Sequence, residues 1–173
     1  MEQQLLSALT DQFPTLRPLT EKDFPALLAL YQSNHFYNGI ALDGPVSLEN
    51  CREDLTALPP GKKPEHKLFL GVFQGNRLAA VTDLVQGYPD SETLYIGLLE
   101  LDQSMHRQGL GTKMVRAIAH QAQACGFTCL RLACLEENGP GLAFWRHMGF
   151  TEEGRALWQG GRKTIKMIRK LSI

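Results

Sequence analysis

Residues 99–112, Leu-Glu-Leu-Asp-Gln-Ser-Met-His-Arg-Gln-Gly-Leu-Gly-Thr, pass from a strand pattern to a helix pattern through Gly109 and Gly111. Glycine lets a backbone approach an anion closely because it has no Cβ. The helix that follows would present unpaired N–H groups and a partial positive charge at its start. The stretch therefore predicts a cradle for phosphate, although two glycines alone favour a helix cap that binds no ligand.

Two nucleotide-binding motifs do not fit these residues. No Gly-Lys-Ser/Thr follows the glycines, so the loop is not a Walker A loop. Met114 stands where the dinucleotide fingerprint GxGxxG has its third glycine. A nucleotide-binding module that uses this loop is therefore a poor alternative.

The patterns around the loop predict a single alternating α/β chain. Three strand patterns before it, Lys67–Phe73, Arg77–Gln86 and Thr93–Asp102, are separated by turn residues and predict an antiparallel meander. After it we expect a helix from Gly109 to Cys125, a buried strand at Thr128–Leu135, a short helix at 140–147, and a hairpin of Arg155–Gln159 with Lys163–Lys170.

The first third of the chain has weaker signals. Residues 15–19 predict a short strand, and Thr20 caps a helix whose apolar face is Phe24, Leu27, Leu28 and Tyr31. Glycine and proline favour a loop over residues 34–46, and a second helix runs from its Ser47 cap to about Leu58. Residues 1–13 form a lead-in of one or two helical turns.

Composition limits the kind of protein. The chain has 173 residues, a length that predicts a single domain over residues 1–173. Of its residues 43% are hydrophobic, and 18 Lys+Arg balance 18 Asp+Glu. We expect no nucleic acid partner, because the cations are not clustered, and no membrane partner, because the apolar stretches are short. The N-terminus lacks the pattern of a signal peptide. The four cysteines form no CxxC pair and the five histidines no ligand spacing, so we expect a reduced, cytoplasmic protein without a metal.

A second motif follows the next predicted strand, at residues 138–150, Asn-Gly-Pro-Gly-Leu-Ala-Phe-Trp-Arg-His-Met-Gly-Phe. Here the sequence resembles the GNAT superfamily of acetyl-CoA-dependent N-acyltransferases. The family's motif Q/R-x-x-G-x-G/A is matched at Gly109 and Gly111. Its later motif, roughly N-x-x-A-x-x-F/L-Y-x-x-x-G-F, is matched at Asn138, Phe144, Gly149 and Phe150. The two motifs occur in the right order, about one strand apart, and the resemblance extends over nearly the whole chain.

The resemblance implies a fold and a cosubstrate. The fold would be α/β (α+β), a mixed and mostly antiparallel sheet of about seven strands with about four helices and a splayed fourth strand. The pyrophosphate of coenzyme A would lie on the loop, and the pantetheine arm would pair with the fourth strand. The implied contacts with acetyl-CoA are Leu99, Glu100, Leu101, His106, Arg107, Gln108, Gly109, Leu110, Gly111, Thr112, Asn138 and Trp145.

Two residues depart from the family pattern. His106 replaces the usual Gln or Arg, which matters little because backbone N–H groups do most of the phosphate binding, and a solvated loop residue is the favoured role. Trp145 replaces the tyrosine that serves the family as general acid, and an indole N–H is not a useful proton donor. A thiolate can leave unassisted, because a free thiol has a pKa of about 8.5. Trp145 is also interpretable as a core aromatic, and Asn138 as the N-cap of the helix that contains Pro140.

The candidate catalytic residues are Glu100 and Tyr95. Glu100 lies between two leucines, so its pKa should be raised toward the range of a general base, although a charge at the strand's rim is an equal alternative. Glu92 is the next carboxylate to consider. Tyr95 could replace the missing acid, as could Tyr88 or a water molecule.

These residues predict an enzyme that acetylates a primary amine of a small molecule or a peptide. The acceptor is open, as is the use of other acyl groups, and a homodimer is common in the family. The alternative is a non-catalytic domain that binds or senses acyl-CoA, and Trp145 is the residue that supports it.

Overall fold

A computed structural model describes residues 2–172, which form a mixed α/β fold. The helices of the described residues are α1 (Glu2–Gln12), α2 (Phe24–Ser33), α3 (His35–Ala41), α4 (Leu48–Thr56), α5 (Leu110–Ala124) and α6 (Gly139–His147). The strands are β1 (Leu16–Pro18), β2 (Lys67–Gln74), β3 (Arg77–Gln86), β4 (Thr93–Leu101), β5 (Cys129–Leu135), β6 (Thr151–Trp158) and β7 (Arg162–Lys170). None of these helices is long and apolar enough to span a membrane.

The strands form one sheet of seven, in the order β1-β2-β3-β4-β5-β7-β6. All neighbours are antiparallel except β4 and β5, which are parallel. The mostly antiparallel seven-stranded sheet predicted from the sequence is therefore confirmed. The predicted meander is β2, β3 and β4, and the final hairpin begins at Thr151, four residues earlier than expected.

The helices differ more from expectation, since residues 2–172 contain six rather than about four. The predicted lead-in is α1, a helix of 11 residues whose Leu5 and Leu9 are fully buried. The predicted loop at 34–46 was wrong in part, because α3 occupies His35–Ala41. The side chain of Asn38 on α3 donates to the carbonyl of Tyr31 at 2.7 Å, which satisfies a carbonyl at the end of α2. A net contribution of about 1 kcal/mol for this bond is comparable with the cost of about 1 kcal/mol for Gly39 inside the helix.

The sheet separates two apolar cores. One core packs α1, α5 and α6 against one face of the sheet, and it includes Leu99 and Leu101 of β4. The other core packs α2 and α4 against the opposite face, and it includes Leu98. Because side chains alternate along a strand, Glu100 lies on the same face as Leu98, under α2 and α4.

The fourth strand separates from its neighbour, as the resemblance implied. β4 pairs with β5 only at Thr93–Tyr95, opposite Cys129–Arg131. Asp83 of β3 is paired with Leu98, and the next residue of β3 with Ile96, so Gly97 is an extra residue that forms a β-bulge. A gap therefore opens between β4 and β5 beyond Tyr95.

Candidate active site

The loop before α5 has the backbone geometry of an anion site. Arg107 and Gly109 have φ angles of +59° and +85°, so the chain turns through left-handed conformations on its way into the helix. Gly109 is the N-cap and carries no side chain to satisfy the first N–H groups of α5, at residues 110–112. A Cβ at Gly109 would meet no heavy atom of the described residues within 4 Å, so the space beside Gly109 is open.

Gly111 lies in the first turn of α5, next to α6. A Cβ built there would lie 3.4 Å from Cζ of Phe144 on α6, at the near edge of ordinary contact. An alanine at this position would therefore touch the Phe144 ring without a clash. The phosphate-binding role that the resemblance gives Gly111 stays a prediction.

The side chains of residues 106–108 are exposed, and two of them hydrogen-bond to backbone carbonyls, which stabilises the loop. Gln108 donates to the carbonyl of Ser104 at 2.6 Å. His106 Nε2 lies 3.1 Å from the carbonyl oxygen of Leu101. Basic side chains continue along α5 beside the loop, in a shallow groove lined by Lys113, Arg116 and His120. The sequence analysis missed these three residues, although their spacing of three and four residues is that of one helix face.

The gap between β4 and β5 exposes a strand edge. Asp102 N–H donates to the carbonyl of Ala79 on β3, and backbone groups alternate in direction along an antiparallel strand. Leu99 and Leu101 therefore direct their N–H and C=O groups away from β3, into the gap. The carbonyl of Leu101 already accepts hydrogen bonds from Asn34 and His106, so Leu99 offers the open part of this edge.

Glu100 lies between the gap and the α2–α3 junction. Its Oε1 accepts a hydrogen bond of 2.9 Å from Nδ2 of Asn34. Burial raises the pKa of Glu100 from its ordinary value of 4.5 to about 8; the Asn34 hydrogen bond opposes this shift and the nearby charge of Asp54 adds to it. The direction is that expected for a carboxylate on an apolar strand, and the value lies in the range of a general base.

Polar side chains from three helices surround Glu100. Tyr31 on α2 donates to Asp54 on α4 at 2.5 Å. Burial raises the pKa of Asp54, and burial together with the charge of Glu100 raises that of Tyr37 on α3. The sequence analysis did not identify Asn34 or Asp54, because no local pattern links them to a residue on β4.

A buried ion pair lies beside the bulge. Lys67 Nζ is 2.8 Å from Oδ2 of Asp83 and also donates to the carbonyl of Ala57 at 2.8 Å. Burial raises the pKa of Asp83 to about 6, against the opposing charge of Lys67. A Cβ at Gly97 would lie 2.7 Å from Oδ2 of Asp83, so this pair leaves room only for glycine at the bulge.

Tyr95 is at the closed end of the gap. It lies opposite Arg131 in the last pair of β4 and β5, and its ring packs edge-on against Tyr88 with centroids 5.2 Å apart. Burial, aided by Tyr88, raises the pKa of Tyr95 to about 12. Five residues of strand, about 16 Å at 3.3 Å per residue, separate it from Glu100. The structure does not bring the two predicted catalytic residues together, and a proton-donor role for Tyr95 stays a prediction.

Asn138 and Trp145 have structural roles that the sequence left as alternatives. Asn138 Oδ1 accepts the N–H of Gly141 at 3.0 Å, so it is the N-cap of α6. Trp145 is 9% exposed and packs edge-on against Phe144 and Phe150, with centroids 5.0 and 5.2 Å apart. Contacts of either residue with coenzyme A stay predictions.

Within residues 2–172, no group of three or more His, Cys, Asp or Glu side chains is arranged to hold a metal ion. The four cysteines are free thiols, and burial raises the pKa of Cys51 and of Cys134 to about 11.

Comparisons with known proteins agree with this geometry. Residues 24–150 match the Acetyltransferase (GNAT) family. A search of curated proteins found no significant match. Among solved structures, an acetyltransferase from Thermus thermophilus is 24% identical with a TM-score of 0.70, over 91% of this chain and 97% of that one.

Two further structures share the fold at lower identity. The ribosomal-protein-alanine N-acetyltransferase from Brucella melitensis is 21% identical with a TM-score of 0.64, over 90% of this chain and 99% of that one. The paia N-acetyltransferase from Thermoplasma acidophilum, in complex with coenzyme A, is 19% identical with a TM-score of 0.65, over 90% of this chain and 97% of that one.

Proposed function

The chain belongs to the Acetyltransferase (GNAT) family, and we propose from this premise that it moves the acetyl group of acetyl-CoA to a primary amine. The observation that carries the proposal is the gap between β4 and β5, which opens beside both Glu100 and the N-terminus of α5. A gap of this kind has room for an extended acyl chain, and the helix N-terminus attracts the phosphates at its other end.

The residues present fit coenzyme A. The open space over Gly109 and the free N–H groups of residues 110–112 suit a pyrophosphate, and Lys113 and Arg116 add positive charge on the same helix. The backbone of Leu99 would pair with the amide groups of the pantetheine arm. Bound acetyl-CoA would supply the activated acetyl group.

Glu100 is the proposed general base. An amine with a pKa near that of lysine, about 10.4, is protonated at neutral pH and must lose a proton before its nitrogen can attack. The Glu100 carboxylate, or a water molecule that it holds, accepts this proton. The nitrogen then bonds to the thioester carbon, and the carbon–sulfur bond breaks. Coenzyme A leaves as a thiolate without an acid, because a free thiol has a pKa of about 8.5, and this thiolate or water takes the second proton from the new amide nitrogen.

The acceptor belongs to the amines, and we propose that peptide N-termini be tested first. The support is the shared fold with a ribosomal-protein-alanine N-acetyltransferase, which acts on a protein amine. Small amines, amino acids and aminoglycosides form the other arms of the screen.

The test follows thiol release from acetyl-CoA with each acceptor, and mass spectrometry identifies the acetylated product. We expect release that depends on both enzyme and amine, and that falls in a Glu100→Gln variant with little change in affinity for acetyl-CoA. The alternative of a non-catalytic acyl-CoA-binding domain, which Trp145 keeps open, predicts binding by calorimetry without thiol release from any acceptor. That outcome would refute the proposed function.

A further inference from the structure

The side-chain amide of Asn34 joins two parts of β4 at once. Its Nδ2 donates to Oε1 of Glu100 at 2.9 Å and to the carbonyl oxygen of Leu101 at 2.8 Å. An amide nitrogen has two hydrogens, so these two bonds use its whole donor capacity. The carboxylate is thereby held beside the last carbonyl of the strand.

The amide cannot be reversed without loss. Exchanging Nδ2 and Oδ1 would place an acceptor oxygen against the carboxylate of Glu100 and the carbonyl of Leu101. Oδ1 has no hydrogen-bond partner among the described residues. A buried carboxamide with one unsatisfied oxygen is unfavourable for stability. The two hydrogen bonds donated by Nδ2 therefore account for the orientation of the amide.

The backbone around Asn34 fixes its position. Asn34 is 4% exposed and lies between α2 and α3. Its N–H donates to the carbonyl of Tyr31 at 3.1 Å, and its own carbonyl accepts from the N–H of Asn38 at 3.0 Å. The side chain is therefore aimed at β4 by the junction of two helices rather than by a flexible loop.

We infer that Asn34 is a positioning residue for the acyl transfer, which orients the Glu100 carboxylate toward the gap and favours its ionised form. The inference rests on the proposed function of Glu100 as the base. A hydrogen bond donated to a carboxylate stabilises the anion more than the acid. Without Asn34, the base would lose both its orientation and part of the stabilisation of its active form.

Other charged and titratable groups also face Glu100, and any pH effect must be separated from theirs. They are Tyr31 from α2, Tyr37 from α3 and Asp54 from α4. His106 approaches from the loop and shares the Leu101 carbonyl with Asn34. Among the described residues, none of these groups hydrogen-bonds to the carboxylate, whereas Asn34 does.

The experiment compares Asn34→Leu with the wild type and with Asn38→Leu as the matched control. Leucine is close to asparagine in size and has no donor, so water gains little access. Asn38 also carries a carboxamide, and its side chain donates to the backbone carbonyl of Tyr31 at 2.7 Å. This hydrogen bond does not involve Glu100. The first measurement is kcat/KM against pH with one acceptor, which reports groups of the free enzyme.

For Asn34→Leu we expect the acid limb of the profile to move up by about one pH unit. This shift corresponds to the smallest free energy usual for a hydrogen bond to a charged group, about 1.5 kcal/mol. The rate would fall about tenfold at pH 7 and converge with the wild-type rate above about pH 9.5. Asn38→Leu should give a profile parallel to that of the wild type. A parallel profile for Asn34→Leu as well would overturn the inference.

A second measurement does not need turnover. The side-chain carboxyl of Glu100 is followed by carbon NMR, with its signal assigned by its loss in Glu100→Gln, and its titration midpoint should rise in Asn34→Leu. An unchanged midpoint overturns the inference even if the enzyme is active, whereas absence of turnover in the wild type refutes only the proposed function. If Asn34→Leu does not fold, Asn34→Asp keeps the shape of the side chain without its donor. The titration midpoint of Glu100 should then rise above the wild-type value, also because of the added negative charge.

Discussion

Replacing Glu100 by Gln should make the protein more stable at neutral and alkaline pH, and not at acid pH. Burial raises the pKa of Glu100 from 4.5 to about 8 in the folded protein. The folded state therefore binds a proton more tightly than the unfolded state, and stability falls as pH rises from about 4.5 to about 8. Gln keeps the shape and can still accept the hydrogen bond from Asn34, but it cannot ionise.

The size of the effect follows from the shift in pKa. Each pH unit between the two values is worth about 1.4 kcal/mol, so at pH 7 the buried carboxylate costs the folded state about 3 kcal/mol. That cost is large beside the roughly 5–15 kcal/mol by which a typical domain is stable. Burying the uncharged amide offsets about 1 kcal/mol of the gain at every pH. We therefore expect Glu100→Gln to be about 2 kcal/mol more stable than the wild type at pH 7 and slightly less stable at pH 4.5.

The assay is urea denaturation of both proteins between pH 4.5 and pH 8.5, with the free energy of unfolding compared at each pH. Glu65→Gln makes the same chemical change at an exposed residue, and its free energy of unfolding should follow the wild type at every pH. Contributions from other titrating groups cancel in the difference between variant and wild type, as far as they act independently of Glu100.

A difference between Glu100→Gln and wild type that does not change with pH would refute this reasoning. The carboxylate would then be solvated in the folded protein, which corresponds to the strand-rim charge that the sequence left open. Its ordinary pKa would remove the main argument for Glu100 as the base.

Three further predictions test the loop and the helix that packs on it. Gly109→Ala should lower both the stability and the calorimetric affinity for coenzyme A, because an L-residue at φ +85° costs about 1–2 kcal/mol. Gly111→Ala should retain both, and equal affinity in the two variants would show that the loop conformation does not matter. Arg107→Gly should be about 1 kcal/mol more stable to urea than Arg107→Ala, because both lose the charge but only glycine relieves a φ of +59°, and equal stability would contradict the argument. Trp145→Phe should lower the melting temperature and leave the turnover of folded enzyme nearly unchanged, whereas a fall in kcat of about tenfold would show that the indole takes part in the reaction.

Local features of the chain were predictable because their causes are local. The strand boundaries of β2 and β3 follow from alternation of apolar residues and from the Gly75 turn between them. The phosphate loop was recognisable because Gly109 marks a turn into a helix, and its left-handed φ is a property of that one residue. The motif at Asn138 located the cap of α6 in the same way.

The sequence by itself thus determined the order of the strands and of most helices, and, through its two motifs, the splayed α/β fold. Only the tertiary structure decided which residues share the site, because helix packing on the sheet joins residues far apart in the chain. It brought Asn34 to Glu100 across 66 positions and packed Trp145 against the rings of Phe144 and Phe150. The raised pKa of Glu100 has the same origin, since burial under α2 and α4 is produced by the folded chain and by no short stretch of it.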